Sequence, residues 1–343
     1  MLVVRDDAHL AHQPAEIISR GRAIPHPEVA RRAAELEAAA KAGGHTLVKP
    51  SAHGMAPVEA IHDKGYLTFL ETAWTRWRAL PDPTPYVHPY AQPNRRMTGL
   101  PTGVMGQAGY YMATNSAPIA EGTWGAALVS ADIALTAADA VTGGDDAAYA
   151  LCRPPGHHAF TDLAGGFCYL NNVAIAAQHM TTRWPKLAIL DIDVHHGNGT
   201  QAIFYERDDV LFVSLHGDPA DYFPFFAGYA DETGAGAGAG KNLNLPLAQG
   251  SGDAAFLEAL EQGFQAIRAH GPGALLVSLG FDAFENDPIG CLKITTPGFG
   301  EVARRIGALG LPTLLVQEGG YDCDGLGPNL TSFLGGFAAG RAG

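Results

Sequence analysis

At 343 residues, 47% of them hydrophobic, the chain can bury a large core, either as one α/β unit or as two smaller ones. Its net charge of -13 argues against binding nucleic-acid backbones, which call for concentrated Lys and Arg, and suits a cationic ligand. The four cysteines (Cys152, Cys168, Cys291, Cys323) form no CxxC pair, charge arrives too early for a signal peptide and no apolar run is long enough to span a bilayer, so a soluble cytoplasmic protein is expected.

Leu2-Val3-Val4 predicts a first short strand. Residues 27–44 predict a helix, with Pro27 in its first turn and Gly43-Gly44 as its stop, and Thr46-Leu47-Val48 a second strand. Tyr66, Phe69, Leu70, Ala73 and Trp77 fall at helical spacing within residues 62–77. Residues 81–122 then change character, with many prolines, the aromatics Tyr86, Tyr90, Tyr110 and Tyr111, and the pair Arg95-Arg96. So long an irregular stretch predicts a loop excursion that caps a site or meets a second subunit.

From Trp124 a helical stripe resumes and stops at Gly143-Gly144, after which strands and helices alternate as in a parallel sheet. Strands are predicted at 147–151, 187–195, 210–215, 274–279 and 313–316, and helices at 171–184, 253–270, 299–309 and 326–337. The Gly-rich run 234–240 lacks the strand-then-helix context of a phosphate loop and is given no such role.

Four of these strands end in unusual polar residues. His157 and His158 follow the first; Asp191, Asp193 and His195 the second; Asp282 and Asp287 the next; and Glu318 to Tyr321 the last. Ligands of open α/β sheets sit beyond the carboxyl ends of the strands, so one sheet would gather all four. Strand alternation puts Asp191, Asp193 and His195 on one face, where two carboxylates and an imidazole are costly to bury without a cation. Asp193, His195 and Asp282 make a three-ligand set with an open position, as in catalytic zinc sites. The tandem His157-His158 is then placed for proton transfer, and Tyr321, on a Gly-Gly turn, for donation to an oxyanion.

The motifs RPPGHH, GGFCYLNN, DIDVHHGNGT, FYERDDVLFVSLH, LGFDAFENDPIG and EGGY, in this order, resemble the zinc-dependent histone deacetylase superfamily, and most closely its bacterial acetylpolyamine amidohydrolases. HDKGYLTFLETAW, GQAGYY and GTW extend the resemblance over nearly the whole chain. It implies an arginase/deacetylase fold: one α/β domain, residues 1–343, with an eight-stranded parallel sheet flanked by helices. It implies zinc on Asp193, His195 and Asp282, with His158 as general base then acid, His157 as its electrostatic partner and Tyr321 as oxyanion donor. Asp191 would orient His157, and Asn198, often Asp in the family, would orient His158. The Gly166 carbonyl would accept the substrate N–H, and Phe167, Phe223 and Ile289 would line a narrow apolar channel. Potassium would sit on main-chain oxygens of Asp191, Asp193, His195 and Leu215 with the Ser214 hydroxyl, and a second potassium near Phe204 and Val210.

One departure concerns substrate choice. The acidic positions that polyamine-specific relatives carry before GTW align with Met105 and Ser116, leaving Glu121, Glu285 or Asp287 to meet an ammonium group. The insertion at 81–122 resembles the one that makes such enzymes homodimers and narrows their channel. The expected activity is deacetylation of small acetylated amines such as acetylputrescine or acetylcadaverine. The alternatives are a deacetylase of acetyl-lysine or another small N-acyl amine, a two-manganese ureohydrolase on the same fold and a silent acyl-group binder. His196 and Asn198 are poor bridging ligands for the second of these, and the complete His157/His158/Tyr321 set argues against the third.

Overall fold

The computed structural model describes residues 1–343 except Arg20, Arg95 and Thr98, so Arg95 of the basic pair lies outside the described residues. The strands are β1 (Leu2–Val4), β2 (Glu16–Ser19), β3 (Arg22–Pro25), β4 (Thr46–Val48), β5 (Ala147–Ala150), β6 (Leu187–Asp191), β7 (Val210–Gly217), β8 (Asn242–Leu247), β9 (Ala274–Leu279) and β10 (Thr313–Gln317). The α-helices are α1 (Ala30–Ala42), α2 (Ala56–Glu59), α3 (Lys64–Arg78), α4 (Val104–Tyr111), α5 (Thr123–Thr142), α6 (Asn172–Met180), α7 (Asn198–Phe204), α8 (Asp253–His270), α9 (Thr296–Gly307) and α10 (Cys323–Ala342).

Eight strands form one sheet in the order β4-β1-β5-β10-β9-β6-β7-β8, every pair parallel. Such a sheet needs cover on both faces, and its strands are accordingly almost continuous apolar runs. Strand alternation divides them. Ile189, Leu276 and Val316 pack on one face with residues of α3, α5 and α6, and Leu190, Val277 and Leu315 on the other with residues of α1, α8, α9 and α10. From β5 the chain jumps to β6, and β9 and β10 later return to fill the gap. The four strands whose ends looked polar in the sequence are therefore the central four.

β6 stops at Asp191, short of the predicted His195. The reason is where the next N–H groups go: Asp193 N donates to Asp191 Oδ1 (3.1 Å), Val194 N to Asp282 Oδ1 (2.9 Å) and His195 N to Asp193 Oδ1 (2.9 Å). Carboxylates have replaced a neighbouring strand as hydrogen-bond partners. Likewise α6 ends at Met180 rather than at Trp184, because the N–H groups of Thr182 and Arg183 donate three residues back, to the His179 and Met180 carbonyls, instead of four.

The β2–β3 hairpin, the edge strand β8, and α2, α4 and α7 were not predicted. The insertion is thus partly ordered as α4. Against the expectation from the sequence, α5 is long and apolar enough, by length and composition alone, to cross a bilayer. Its residues Ala127, Ala131, Ala134 and Leu135 are packed in the core.

Candidate active site

Beyond the carboxyl ends of β6 and β9, one ligand atom from each of Asp193, His195 and Asp282 lies within 4.8 Å of the others, and all three residues are buried. His195 Nδ1 is 3.2 Å from Asp193 Oδ1 and 3.2 Å from Asp282 Oδ2. On its other side, Nε2 is 3.0 Å from the hydroxyl of Tyr222, which donates its own proton to the Ile289 carbonyl. The Tyr222 oxygen therefore accepts from Nε2–H, and Nδ1 points at two carboxylates, which outweigh burial and raise the ring to about 9 in the absence of a cation. Three electron-pair donors around one point suit a cation. Burial and then the Asp193 charge push the Asp282 carboxyl up to about 7 in the absence of one. Two glycines keep the pocket open: a Cβ on Gly319 would lie 2.1 Å from Asp282 Oδ2, and one on Gly280 would lie 2.3 Å from Asp193 Oδ2. The donor set fits a divalent ion with a vacant coordination position. Among the described residues no other group of His, Cys, Asp and Glu forms such a cluster.

The residues that follow β5 place two imidazoles beside this group. Glu318 Oε2 accepts from the N–H groups of Gly156 (2.7 Å) and His157 (3.1 Å) and so ties their turn to the β10 end. His157 Nδ1 is 2.9 Å from Asp191 Oδ2, and its Nε2 is 3.7 Å from Asp193 Oδ1. Burial opposes a charge on this ring, but the two carboxylates outweigh it and hold His157 protonated. His158 Nδ1 is 2.8 Å from Asn198 Oδ1. Burial first, then the charges of His157 and His195, push His158 far below the usual imidazole range. Adjacent rings, with centroids 4.0 Å apart, are thus held in opposite protonation states, the pattern expected of an acid–base pair.

Tyr321 completes the arrangement. Its N–H donates to Asp287 Oδ2 (2.6 Å), and its ring packs edge-on against Phe167, centroids 5.5 Å apart, with the Arg32 guanidinium 4.7 Å from the ring centroid. Tyr321 lines a narrow cavity of about 70 Å³ together with His158, His195, Gly166, Phe167, Phe223 and Ile289. This opens toward an outer chamber of about 850 Å³. Gly166, at φ 53°, has to be glycine, because a side chain there would meet the His158 ring at 2.2 Å.

Residues 26–337 match the histone deacetylase domain family. The chain belongs to that family. It is 50% identical over 331 residues to an acetylpolyamine amidohydrolase of Burkholderia pseudomallei (strain 1710b), covering 96% of each chain. It is 45% identical over 340 residues to an acetylpolyamine amidohydrolase of Mycoplana ramosa, covering 98% of this chain and all of that one (100%). A crystal structure of acetylpolyamine aminohydrolase from Burkholderia pseudomallei superposes with a TM-score of 0.97 at 49% identity, covering 99% of each chain.

Against this frame the ammonium-binding expectations need correction. Glu121 is exposed and lines neither cavity, because Gly122 beside it is packed against the Ala11 backbone at the start of α5. Glu285 also lines neither. Asp287 is fully engaged: Oδ2 accepts from the N–H groups of Tyr321 and Asp322, and Oδ1 from that of Ile289. Its work is to fix the Tyr321 turn. Of the two aligned departures, Ser116 lines both cavities and Met105 is exposed on α4 and lines neither. His196 turns away to Gln201 Oε1 (3.0 Å). Ser214 sits opposite Asp191 in the β6/β7 register, next to Leu215, and its hydroxyl is 2.8 Å from His216 Nδ1. Phe204 ends α7, and Val210 starts β7 at the opposite end of the sheet from the metal ligands.

Sequence reasoning placed Glu318 at a polar strand end without giving it a role, and missed Tyr222 and a buried network of Glu28, Arg32 and Arg153. Glu28 accepts from Arg32 Nη1 (2.7 Å) and Arg153 Nε (2.8 Å), and Arg32 donates to the Glu318 carbonyl (2.6 Å). The EGG turn is thereby braced from the far side of the sheet edge. A Glu and an Arg four apart in a helical stretch gave no hint of burial.

Proposed function

We propose that the protein is a zinc-dependent amidohydrolase that removes acetyl groups from small acetylated amines, acetylpolyamines foremost. The observation that carries this is the convergence of the Asp193/His195/Asp282 group, a neutral His158 and Tyr321 on one narrow cavity. The names of the relatives that match over nearly the whole chain support the same substrate class.

Zinc bound by Asp193, His195 and Asp282 would act as a Lewis acid, acidifying water and polarising the acetamide carbonyl. The chain's own groups do the rest. His158 is neutral with its proton on Nδ1, so Nε2 is free to take a proton from the attacking water. It then returns that proton to the departing amine nitrogen. The Tyr321 hydroxyl donates to the carbonyl oxygen as negative charge develops there. The Gly166 carbonyl accepts the amide N–H, and the rings of Phe167 and Phe223 exclude bulk water and admit only a slender acylated chain. The protonated His157, held by Asp191, adds fixed positive charge beside the reacting centre.

Turnover of acetylputrescine, acetylcadaverine and acetyl-lysine peptides by zinc-loaded protein tests the reading. The small amines should be hydrolysed faster; a clear peptide preference overturns the polyamine assignment, and no amide hydrolysis overturns the whole.

The same reading includes structural potassium on main-chain oxygens of Asp191, Asp193, His195 and Leu215 with the Ser214 hydroxyl, a cytoplasmic location consistent with four free thiols, and a homodimer. Exposed Tyr90 (88%), Met97 (57%), Leu100 (59%) and Met105 (49%), concentrated on the insertion at 81–122, support the last. Light scattering at a single-chain mass would refute it.

A further inference from the structure

The outer chamber is a poor place for charge. Ile18, Phe160, Leu163 and Phe223 supply apolar wall, and Thr114 and Asn115 supply neutral polar groups. No Lys or Arg lines it among the described residues, and it holds one carboxylate, Asp221. This residue is exposed, and among the described residues its carboxylate has no hydrogen-bond or ion-pair partner. The acidic residues singled out in the sequence stand elsewhere or are engaged with backbone N–H groups, as described above. Asp221 was not among them.

Its place along the chain fixes its relation to the chemistry. The next residue, Tyr222, contacts His195 Nε2 through its hydroxyl at 3.0 Å, and the one after, Phe223, has its ring centroid 5.0 Å from that of His158. Consecutive Cα atoms are about 3.8 Å apart, so Asp221 lies one step outward from the wall of the catalytic slot. It also borders a second, open hollow of about 720 Å³ that includes Lys293, but the Lys293 ammonium donates to the Glu285 carbonyl at 2.8 Å. It is not paired with Asp221. Glu285, nearby and exposed, is the other acidic group in that direction.

We infer that Asp221 is a specificity-determining residue: it receives the protonated free amine of a monoacetylated alkyl diamine whose methylenes lie along the apolar chamber wall. The inference rests on the amidohydrolase reading and deepens it. An acetamide in the slot leaves its other end in the chamber, where an alkyl tail can lie along the apolar wall and, among the described residues, an ammonium finds one unpaired carboxylate. An anionic tail would meet repulsion there.

Two substrates of equal length separate these effects: N-acetylcadaverine, which carries an ammonium, and N-hexylacetamide, in which a methyl group takes its place. In Asp221→Asn, kcat/KM for the charged amide should fall about fivefold, mainly through KM, the size of one solvent-accessible ion pair. The neutral amide should change by less than about twofold, since it never meets the carboxylate. Asp221→Lys should deepen the loss for the charged amide alone, and added salt should erase the wild-type preference. Equal changes for both amides, or no change for either, overturn the assignment while leaving the amidohydrolase reading intact. If the wild-type protein hydrolyses neither amide, the underlying reading falls and this inference with it.

Discussion

His158 Nδ1 and Asn198 Oδ1 stand 2.8 Å apart, and this contact selects which His158 nitrogen carries the proton. A carboxamide oxygen can only accept, so Nδ1 carries the proton and Nε2 is left with the free lone pair that the proposed reaction uses as its base. Replacing Asn198 by Asp adds a negative charge at that contact, which favours the imidazolium and raises the pKa of His158. The base has to be neutral to act. The acid limb of kcat/KM should therefore move to higher pH by about 1 unit in Asn198→Asp, with the alkaline plateau retained. A pH–rate profile of both proteins is the check, and coincident acid limbs would show that Nδ1 does not govern the base.

Removing a metal ligand tests the cluster directly. Asp282→Ala should abolish stoichiometric zinc binding and lower kcat by about 100-fold or more, since loss of even the partners that orient metal ligands costs 10–100-fold. In the unaltered protein, zinc at about 1,000 times its dissociation constant should stabilise the fold by about 4 kcal/mol, so chelation should lower Tm. Elemental analysis and thermal melts of the two proteins give both readings. Full zinc content in Asp282→Ala would remove the metal assignment.

The sheet was legible because its strands are buried on both faces and need uninterrupted apolar runs such as LAIL and ALLVSL. The metal ligands were legible because Asp193 and His195 interrupt such a run with charge. β8 was not: its Pro246 and its alternating Asn242 and Asn244 read as loop, yet an edge strand tolerates proline, and both asparagines donate to Gln201 Oε1. Nor was Tyr222, which acts through its hydroxyl on a residue 27 positions away. Asp221 was illegible for the same reason. A lone Asp in a loop takes its meaning from the chamber it borders, which the sequence does not display.

Tyr321→Phe should isolate oxyanion stabilisation. The ring would keep its contacts with Phe167 and Arg32, and the backbone its tie to Asp287. Only the hydroxyl is lost. By analogy with the removal of one oxyanion donor, kcat should fall by about 100- to 1,000-fold with little change in KM or Tm. A Tyr321→Phe protein that retained normal kcat would exclude the hydroxyl from the reaction.

Behind the EGG turn, the Glu28 network predicts how acid unfolds the protein. Burial raises the Glu28 carboxyl, but Arg153 and Arg32 outweigh it and hold the group down to about 2. The stability this contributes is present above the carboxyl's unfolded value of 4.5 and is lost as pH falls toward about 2. Two neighbouring histidines act earlier. Burial depresses His12 from 6.5 to about 3 and His26 from 6.5 to about 4. The unfolded chain therefore takes up protons below 6.5 that the folded one refuses, and each ring removes about 1.4 kcal/mol per pH unit over that window. Tm should start to fall just below neutrality, before most carboxylates titrate. His26→Asn keeps an acceptor for the Glu28 N–H, now 3.0 Å from His26 Nδ1, and should flatten the Tm–pH curve between 6.5 and about 4. Glu28→Ala, which leaves two buried guanidinium groups without their carboxylate, should cost about 3–5 kcal/mol at neutral pH and loosen the Glu318–Tyr321 turn. An unchanged slope in His26→Asn would place the acid sensitivity outside this network.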